Sequence, residues 1–117
     1  MTGNLFERTI ANGGGTFDMH GDNGNRADIT SGYAVAIVDG TYRTASIHDR
    51  RSFNDAVHMC TVDFPFATAI GTWVDGDIIH IDPVMIADSE DVARAVAVAN
   101  NQLAYFNLNT MEEVRIS

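Results

Sequence analysis

The sequence contains no lysine, and its seven basic residues are all arginine. Acidic residues outnumber these arginines: there are 16, of which 12 are aspartate, and the formal net charge is −9. A surface of this sign repels phosphate groups, so we expect no direct nucleic-acid binding and no adhesion to an anionic membrane. The hydrophobic fraction of 45 % nevertheless excludes an intrinsically disordered chain and is typical of a folded one.

Cysteine and long apolar runs are equally scarce. The lone cysteine, Cys60, cannot form a disulfide within the chain, and no apolar run reaches the roughly 18 residues that cross a bilayer. Residues 1–10 lack the basic region and apolar core of a secretory signal. We therefore expect a cytoplasmic protein with a single domain over residues 1–117 and no membrane partner.

Three segments combine a helix-start signal with an apolar stripe. Asn4, Ser52 and Asp88 are each followed three residues later by an acid, and this spacing satisfies the free N–H groups of a first helical turn. The predicted helices cover residues 5–12, 53–62 and 89–101, and the first is expected to end at Gly13–Gly15. Their predicted inward residues are Leu5, Phe6, Thr9, Ile10, Phe53, Val57, Cys60, Phe64, Val92, Val96, Ala99 and Leu103.

The remaining apolar segments are typical of strands. Asp39-Gly40 predicts a hairpin between residues 33–39 and 42–47, and Asp75-Gly76 predicts another between residues 67–74 and 78–81. Pro83 lacks an N–H group and is expected to end or bulge its strand before residues 84–87 continue it. Residues 103–108 and 113–116 predict a terminal hairpin, and residues 19–32 a long polar loop.

Together these elements predict an α+β fold. Helices alternate with hairpins along the chain, so parallel crossovers are few. We expect an antiparallel sheet of about five to six strands, with the three short helices packed mainly on one face.

Four histidines suggest metal chemistry without completing a motif. His80 and Asp82 are two residues apart on a predicted strand and therefore share a face. With His20 and Asp22 of the polar loop, they could serve a small metal-dependent enzyme or sensor. The more frequent alternative is a charged solvent face, so we predict no catalytic residue, no metal and no other cofactor.

Other motifs are incomplete as well. His48-Asp49 lacks the further ligands of a metal phosphohydrolase, and residues 18–28 lack the order of a calcium loop. Gly13–Gly15 has no lysine with which to bind phosphate. Cys60 falls on an inward helix face, where a buried and unreactive thiol is expected.

The acids are concentrated between residues 75 and 91, where no arginine intervenes. On one surface they would attract a basic groove and imitate a row of phosphates; the alternative is that they serve as helix caps, a turn and a solubilising surface. Trp73 is expected in the core, but if exposed it would be an interface anchor. The candidate partner-binding residues are Asp75, Asp77, Asp82, Asp88, Glu90, Asp91, Glu112, Glu113 and Trp73.

Five stretches carry a family resemblance. Residues 5–18, 31–36, 71–75, 81–84 and 102–107 resemble small, uncharacterised acidic proteins encoded by phages and mobile elements of GC-rich actinobacteria. Because such genes often encode anti-defence products, the resemblance implies a non-enzymatic inhibitor of anti-CRISPR type in the host cytoplasm. Its partner would be a host protein or ribonucleoprotein with a basic groove, bound through a DNA-mimicking acidic surface. A homodimeric accessory protein is the remaining alternative.

Overall fold

The computed structural model describes residues 4–20 and 26–116, and within them the chain forms three helices and seven strands. All strand pairs are antiparallel. The fold is therefore α+β, as predicted, with slightly more strands than expected. In chain order the elements are α1 (Leu5–Asn12), β1 (Gly14–Asp18), β2 (Tyr33–Ala36), β3 (Arg43–Ser46), α2 (Arg50–Asp63), β4 (Ala69–Asp75), β5 (Ile78–Ala87), α3 (Glu90–Ala99), β6 (Ala104–Asn107) and β7 (Glu112–Arg115).

Strand β5 organises the sheet, whose order is β1-β4-β5-β2-β6-β7. One edge of β5 pairs with β4, while the other pairs first with β3 and then with β2. The change of partner falls at Asp82 and Pro83. There the Tyr42 N–H donates to the Asp82 carboxylate at 2.7 Å, and the Ile37 N–H donates to the Pro83 carbonyl at 3.1 Å.

The expectation that Pro83 ends or bulges the strand is wrong. β5 runs through it, and its register with β4 continues from Asp75 opposite Ile78 to Ala69 opposite Val84. A proline is accommodated here because the ladder on its other edge is already interrupted between β3 and β2.

The prediction of a hairpin across Asp39-Gly40 is also wrong. The two segments do not pair with each other, because β2 and β3 lie one after the other along the same edge of β5. By contrast, the predicted β4–β5 hairpin forms, but its turn is shifted by one residue from the predicted Asp75-Gly76. Its two-residue turn is Gly76-Asp77, and of these two residues only Gly76 has a positive φ, at 60°.

Strand β1 was not predicted. Gly13 ends α1 with a φ of 77°, as expected, but Gly14 and Gly15 then begin a strand that pairs with β4. Glycine has low strand propensity, so this strand depends on its partner rather than on its own sequence. Part of the predicted polar loop also pairs with β1, because the Ile29 N–H donates to the Thr16 carbonyl at 2.8 Å.

The three helices cover one face of the sheet, as predicted. Alternate residues of β5 point to that face, where Ile79 and Ile81 pack beneath α1 and α2. Ala87, with the same parity, packs with Ala93 and Ala97 of α3. A buried hydrogen bond of 3.0 Å between the hydroxyls of Thr9 and Thr72 joins α1 to β4.

Two helix starts differ from the prediction. Asn4 caps α1 by accepting from the Glu7 N–H at 2.9 Å, as expected. Asp49 rather than Ser52 caps α2, and Ser89 rather than Asp88 caps α3. In both helices the side-chain oxygen of the capping residue accepts a hydrogen bond from the N–H group three residues later. The residue that was predicted as the cap, Ser52 or Asp88, is therefore not needed to satisfy the first turn.

The predicted inward stripe of α3 is largely reversed. Val92 and Leu103 are 53 % and 67 % exposed, Ala99 is exposed, and Ala93 and Ala97 are fully buried. Ala93 and Ala97 instead pack with Val35 and Tyr105, and of the predicted stripe Val96 is partly buried against the same cluster. In helix α1 the predicted inward stripe is wrong at one position. Ile10, predicted inward, is exposed.

Replacing Gly14 by alanine is expected to destabilise the fold far more than replacing Gly13. A Cβ at Gly14, where φ is 142°, would lie 2.5 Å from the Thr72 carbonyl oxygen, whereas a Cβ at Gly13 meets nothing within 4 Å. We expect a loss of about 3 kcal/mol or more in unfolding free energy for Gly14→Ala, and about 1 kcal/mol for Gly13→Ala. Urea unfolding of both variants measures this, and equal losses would contradict the close packing of β1 on β4.

Candidate functional site

The sheet face opposite the helices, here called the open face, carries the candidate site. The strand registers place four of its residues in a row across the sheet: Gly14 of β1, Trp73 of β4, His80 of β5 and Thr44 of β3. Asp82 lies on the same face two residues after His80. The expectation that His80 and Asp82 share a face is therefore confirmed.

Trp73 is not in the core, as had been expected, but is 48 % exposed on this face. Its ring stacks on His80 with centroids 4.1 Å apart and planes inclined by 8°. A hydrogen bond of 3.0 Å between the Thr41 hydroxyl and the His80 Nδ1 atom holds the imidazole ring in place. The indole is thus held in one orientation while much of its surface faces solvent.

Asp82 is structural rather than free to bind. Burial raises the pKa of its carboxyl group, while the hydrogen bond from the Tyr42 N–H and the charge of His80 act in the opposite direction. The same hydrogen bond holds the chain between β2 and β3 against β5. Asp82 therefore has a role within the fold that accounts for its position.

The acidic run is divided by β5 into two groups. Asp75 and Asp77 lie at the hairpin tip, before β5, and we call them the hairpin acids. Asp88, Glu90 and Asp91 follow its other end, and a ten-residue strand separates the groups by about 30 Å. The acids of residues 75–91 therefore do not form one continuous row.

The second group gathers more of the predicted residues, and we call it the α3 acids: Asp88, Glu90, Asp91, Glu112 and Glu113. Glu112 lies at the same end of the sheet, since it opposes Asn107 of β6, Asn107 opposes Tyr33 of β2, and Tyr33 opposes Ala87, the last residue of β5. Several members have local partners. Glu90 accepts a hydrogen bond from the Tyr105 hydroxyl at 2.9 Å, and Glu113 pairs with Arg115 at 3.7 Å.

The metal alternative is not assembled in the described part of the chain. Among residues 4–20 and 26–116, no group of three histidine, cysteine, aspartate or glutamate side chains is arranged to hold a metal ion. His20 follows the end of β1 near Ala69, four positions along β4 from the Trp73–His80 row. Asp22, the remaining candidate ligand, lies outside the described residues.

Cys60 is buried in the core, on the inward face of α2 that was predicted for it. Burial, the largest cause, raises the pKa of its thiol to about 12. The thiolate is the reactive form of cysteine, so this side chain is not a nucleophile near neutral pH.

Sequence reasoning did not predict a cleft of about 420 Å³ between β3 and α2. Two arginines and two aspartates line it, so its charges balance and it favours no ligand of one sign. The sequence signal for it was the run of charged residues from Asp49 to Arg51, which forms the start of α2. The lining residues are Arg43, Thr44, Asp49, Arg51, Ser52, Asp55, Ala56 and Met59.

Comparison with known proteins returned no match: no protein-family model, no curated sequence and no solved structure resembles this chain significantly. Within the described residues, none of the helices has the length and apolar character needed to cross a membrane. The functional argument therefore depends on the chain's own residues.

Replacing Asp82 by asparagine is expected to stabilise the protein increasingly as pH rises. Burial holds the folded-state pKa of Asp82 above its ordinary value of 3.8, so the protonated form stabilises the fold. That contribution is complete below the ordinary pKa and is lost as pH rises through the folded-state pKa. Asparagine stays neutral and keeps an oxygen that accepts from the Tyr42 N–H.

Urea unfolding of Asp82→Asn and wild type from about pH 3 to about pH 7 measures this difference. Asp39→Asn, which removes an exposed charge, is the matched control. A stability gap that shrinks as pH rises would contradict the role of burial.

Proposed function

We propose that this protein is a non-enzymatic inhibitor of phage type that binds a host nucleic-acid-handling protein or ribonucleoprotein with a basic groove. The observation that supports it is the exposed Trp73 on the open face, next to Asp75 and Asp77 at the tip of the β4–β5 hairpin. Tryptophan is enriched among the residues that dominate protein interfaces. That the inhibitor is of phage type is taken from the sequence resemblance alone.

The charge of the hairpin acids is not neutralised within the described part of the chain. The ion pairs found there use Glu7, Asp28 and Glu113, and none involves Asp75 or Asp77. Both carboxylates are exposed at the end of the hairpin, Asp75 as the last residue of β4 and Asp77 in the turn, where a groove can reach them from several sides. The short aspartate side chain also keeps each charge close to the backbone.

The mechanism follows from this placement. Arginine and lysine side chains that line a nucleic-acid channel attract the hairpin acids and raise the rate of association. The bound hairpin then excludes DNA or RNA from the channel, both sterically and by occupying its cations. This proposal needs Trp73 and the two hairpin acids but not a continuous acidic row.

The α3 acids have a competing structural explanation. Glu90 and Asp91 lie in the first turn of α3, where a negative charge stabilises the helix dipole, and Glu90 also binds Tyr105. We therefore assign the partner contact to the hairpin end, and the α3 end serves as a control.

A specific observation favours the homodimeric accessory protein as a second candidate. The outer side of α3 presents Val92, Ala95, Val98 and Ala99 to solvent, and Leu103 extends this surface. Exposed apolar side chains at helical spacing are typical of a helix that packs on a partner. We propose this surface, the α3 stripe, as the contact of a dimer.

Reversing the hairpin acids is expected to abolish capture of the partner from an actinobacterial host lysate. Asp75→Lys with Asp77→Lys places positive charge against a basic groove, whereas Asp88→Lys with Glu112→Lys makes the same change in net charge at the other end of the sheet. Immobilised wild type and the second variant should retain the partner, and added duplex DNA or moderate salt should elute it.

Capture that persists in the hairpin variant, or that duplex DNA cannot displace, would be inconsistent with nucleic-acid mimicry at this site. Urea unfolding of both variants checks that the fold is retained.

Light scattering is expected to give twice the 12.7 kDa chain mass if the α3 stripe forms a dimer. Val98→Glu should then restore the monomer, because it buries a charge in the contact. Val62→Glu on α2 is the matched control, since Val62 and Val98 are 55 % and 59 % exposed. A wild-type monomer at about 100 μM, a concentration at which specific homodimers persist, would reject this candidate.

A further inference from the structure

The Trp73 indole has one covered face and one uncovered face. His80 of β5 stacks against the first, with ring centroids 4.1 Å apart. Because the two rings are nearly parallel, the second face points away from β5, towards β1. Strand β1 is therefore the element that decides whether that face is covered.

β1 has no side chain at this position. Its residue opposite Trp73 is Gly14, whose backbone approaches so closely that a Cβ would lie 2.9 Å from the Trp73 Cα atom. The next open-face residue of β4 is Gly71, but the space above it is occupied, because a Cβ there would lie 2.9 Å from the Val84 Cγ2 atom. Gly14 thus leaves a shallow slot beside the indole, with the β1 backbone below it and the Trp73 ring along one side.

The charge beside this slot is negative. Asp75 lies two residues from Trp73 on the same strand and therefore on the same face. Asp77 follows at the hairpin turn, and neither carboxylate has an ion-pair partner among the described residues. A flat aromatic face next to an unpaired carboxylate favours a ligand that is both planar and cationic.

We propose that this slot binds an arginine side chain of a basic protein partner, with the guanidinium stacked on Trp73 and hydrogen-bonded to the Asp75 carboxylate. Arginine fits both features, since its planar group stacks on aromatic rings and donates two parallel hydrogen bonds to a carboxylate. Lysine carries the same charge as a compact, strongly hydrated ammonium group without a plane. The inference rests on the proposed function, because it assumes a basic protein partner. It adds that arginine is the residue of that partner which binds at Trp73.

His80 positions the indole in this arrangement. His80 does not contact the arginine in this arrangement. Its hydrogen bond with Thr41 and its stack with Trp73 hold the indole ring in a fixed orientation beside the slot. The site is thus preorganised, which reduces the conformational entropy lost on binding.

The test uses two peptides of equal length and charge, one arginine-rich and one lysine-rich, titrated into the full chain at low salt. Trp73 is the sole tryptophan, so its fluorescence reports on the slot directly. We expect the arginine peptide to bind about five- to tenfold more tightly and to change the Trp73 emission more strongly.

Variants separate stacking from charge, with calorimetry as the readout. In Trp73→Leu the affinity for the arginine peptide should fall to that for the lysine peptide. Trp73→Phe should keep part of the preference for the arginine peptide. Phe66→Leu, which changes another exposed aromatic residue outside the open face, should change neither affinity. Asp75→Asn should weaken both peptides, and the arginine peptide more.

The outcomes distinguish this inference from the proposed function. Equal affinity for the two peptides, or an arginine preference that survives in Trp73→Leu, overturns the arginine slot. If lysate capture still depends on the hairpin acids and yields to duplex DNA, the proposed function stands without it. An arginine preference lost in Trp73→Leu, but without any DNA-displaced capture, supports the slot and rejects the proposed function.

Discussion

The two-residue alternation of β5 is the constraint on which the rest of the structure depends. One set of its side chains, including Ile79, Ile81 and Ala87, packs against α2 and α3 and joins the same core as the buried residues of α1. The other set, including His80 and Asp82, points to the open face. Any shift of register by one residue would exchange these two sets, so core and site are specified together.

The length of β5 also sets the distribution of charge. An acidic run that looks continuous in the sequence is stretched along a ten-residue strand, and its two halves become opposite ends of the sheet. Each half then has its own surroundings. The hairpin acids form no ion pair with any described residue and are exposed. At the other end, Asp88, Glu90 and Asp91 lie at the start of α3, and Glu90 accepts a hydrogen bond from Tyr105.

Local signals predicted much of the fold. The cap at Asn4, the helix end at Gly13 and the turn after Asp75 each depend on a few neighbouring residues, and the structure retains all three. Pairings that need distant partners were not predictable in this way. The wrong hairpin across Asp39-Gly40 and the unpredicted strand β1 both arise because β5 and β4 offer edges that lie far away in sequence.

The site shows the same division. The shared face of His80 and Asp82 follows from strand periodicity and was predicted. The exposure of Trp73 was not, because it depends on a glycine 59 residues away on a neighbouring strand. The inverted stripe of α3 has a similar origin, since the side of the helix that is buried is set by contacts of Ala93 and Ala97 with Val35 of β2 and Tyr105 of β6.

By itself the sequence determined the charge, the class of fold, the alternation along each strand and those local features, such as the cap at Asn4 and the helix end at Gly13, that depend only on neighbouring residues. The tertiary structure alone decided which strands meet, which acids stay together and which face of Trp73 is uncovered. The physical reason is range: capping, turn geometry and pleating act over a few residues, whereas burial and ion pairing depend on atoms that only folding brings into contact.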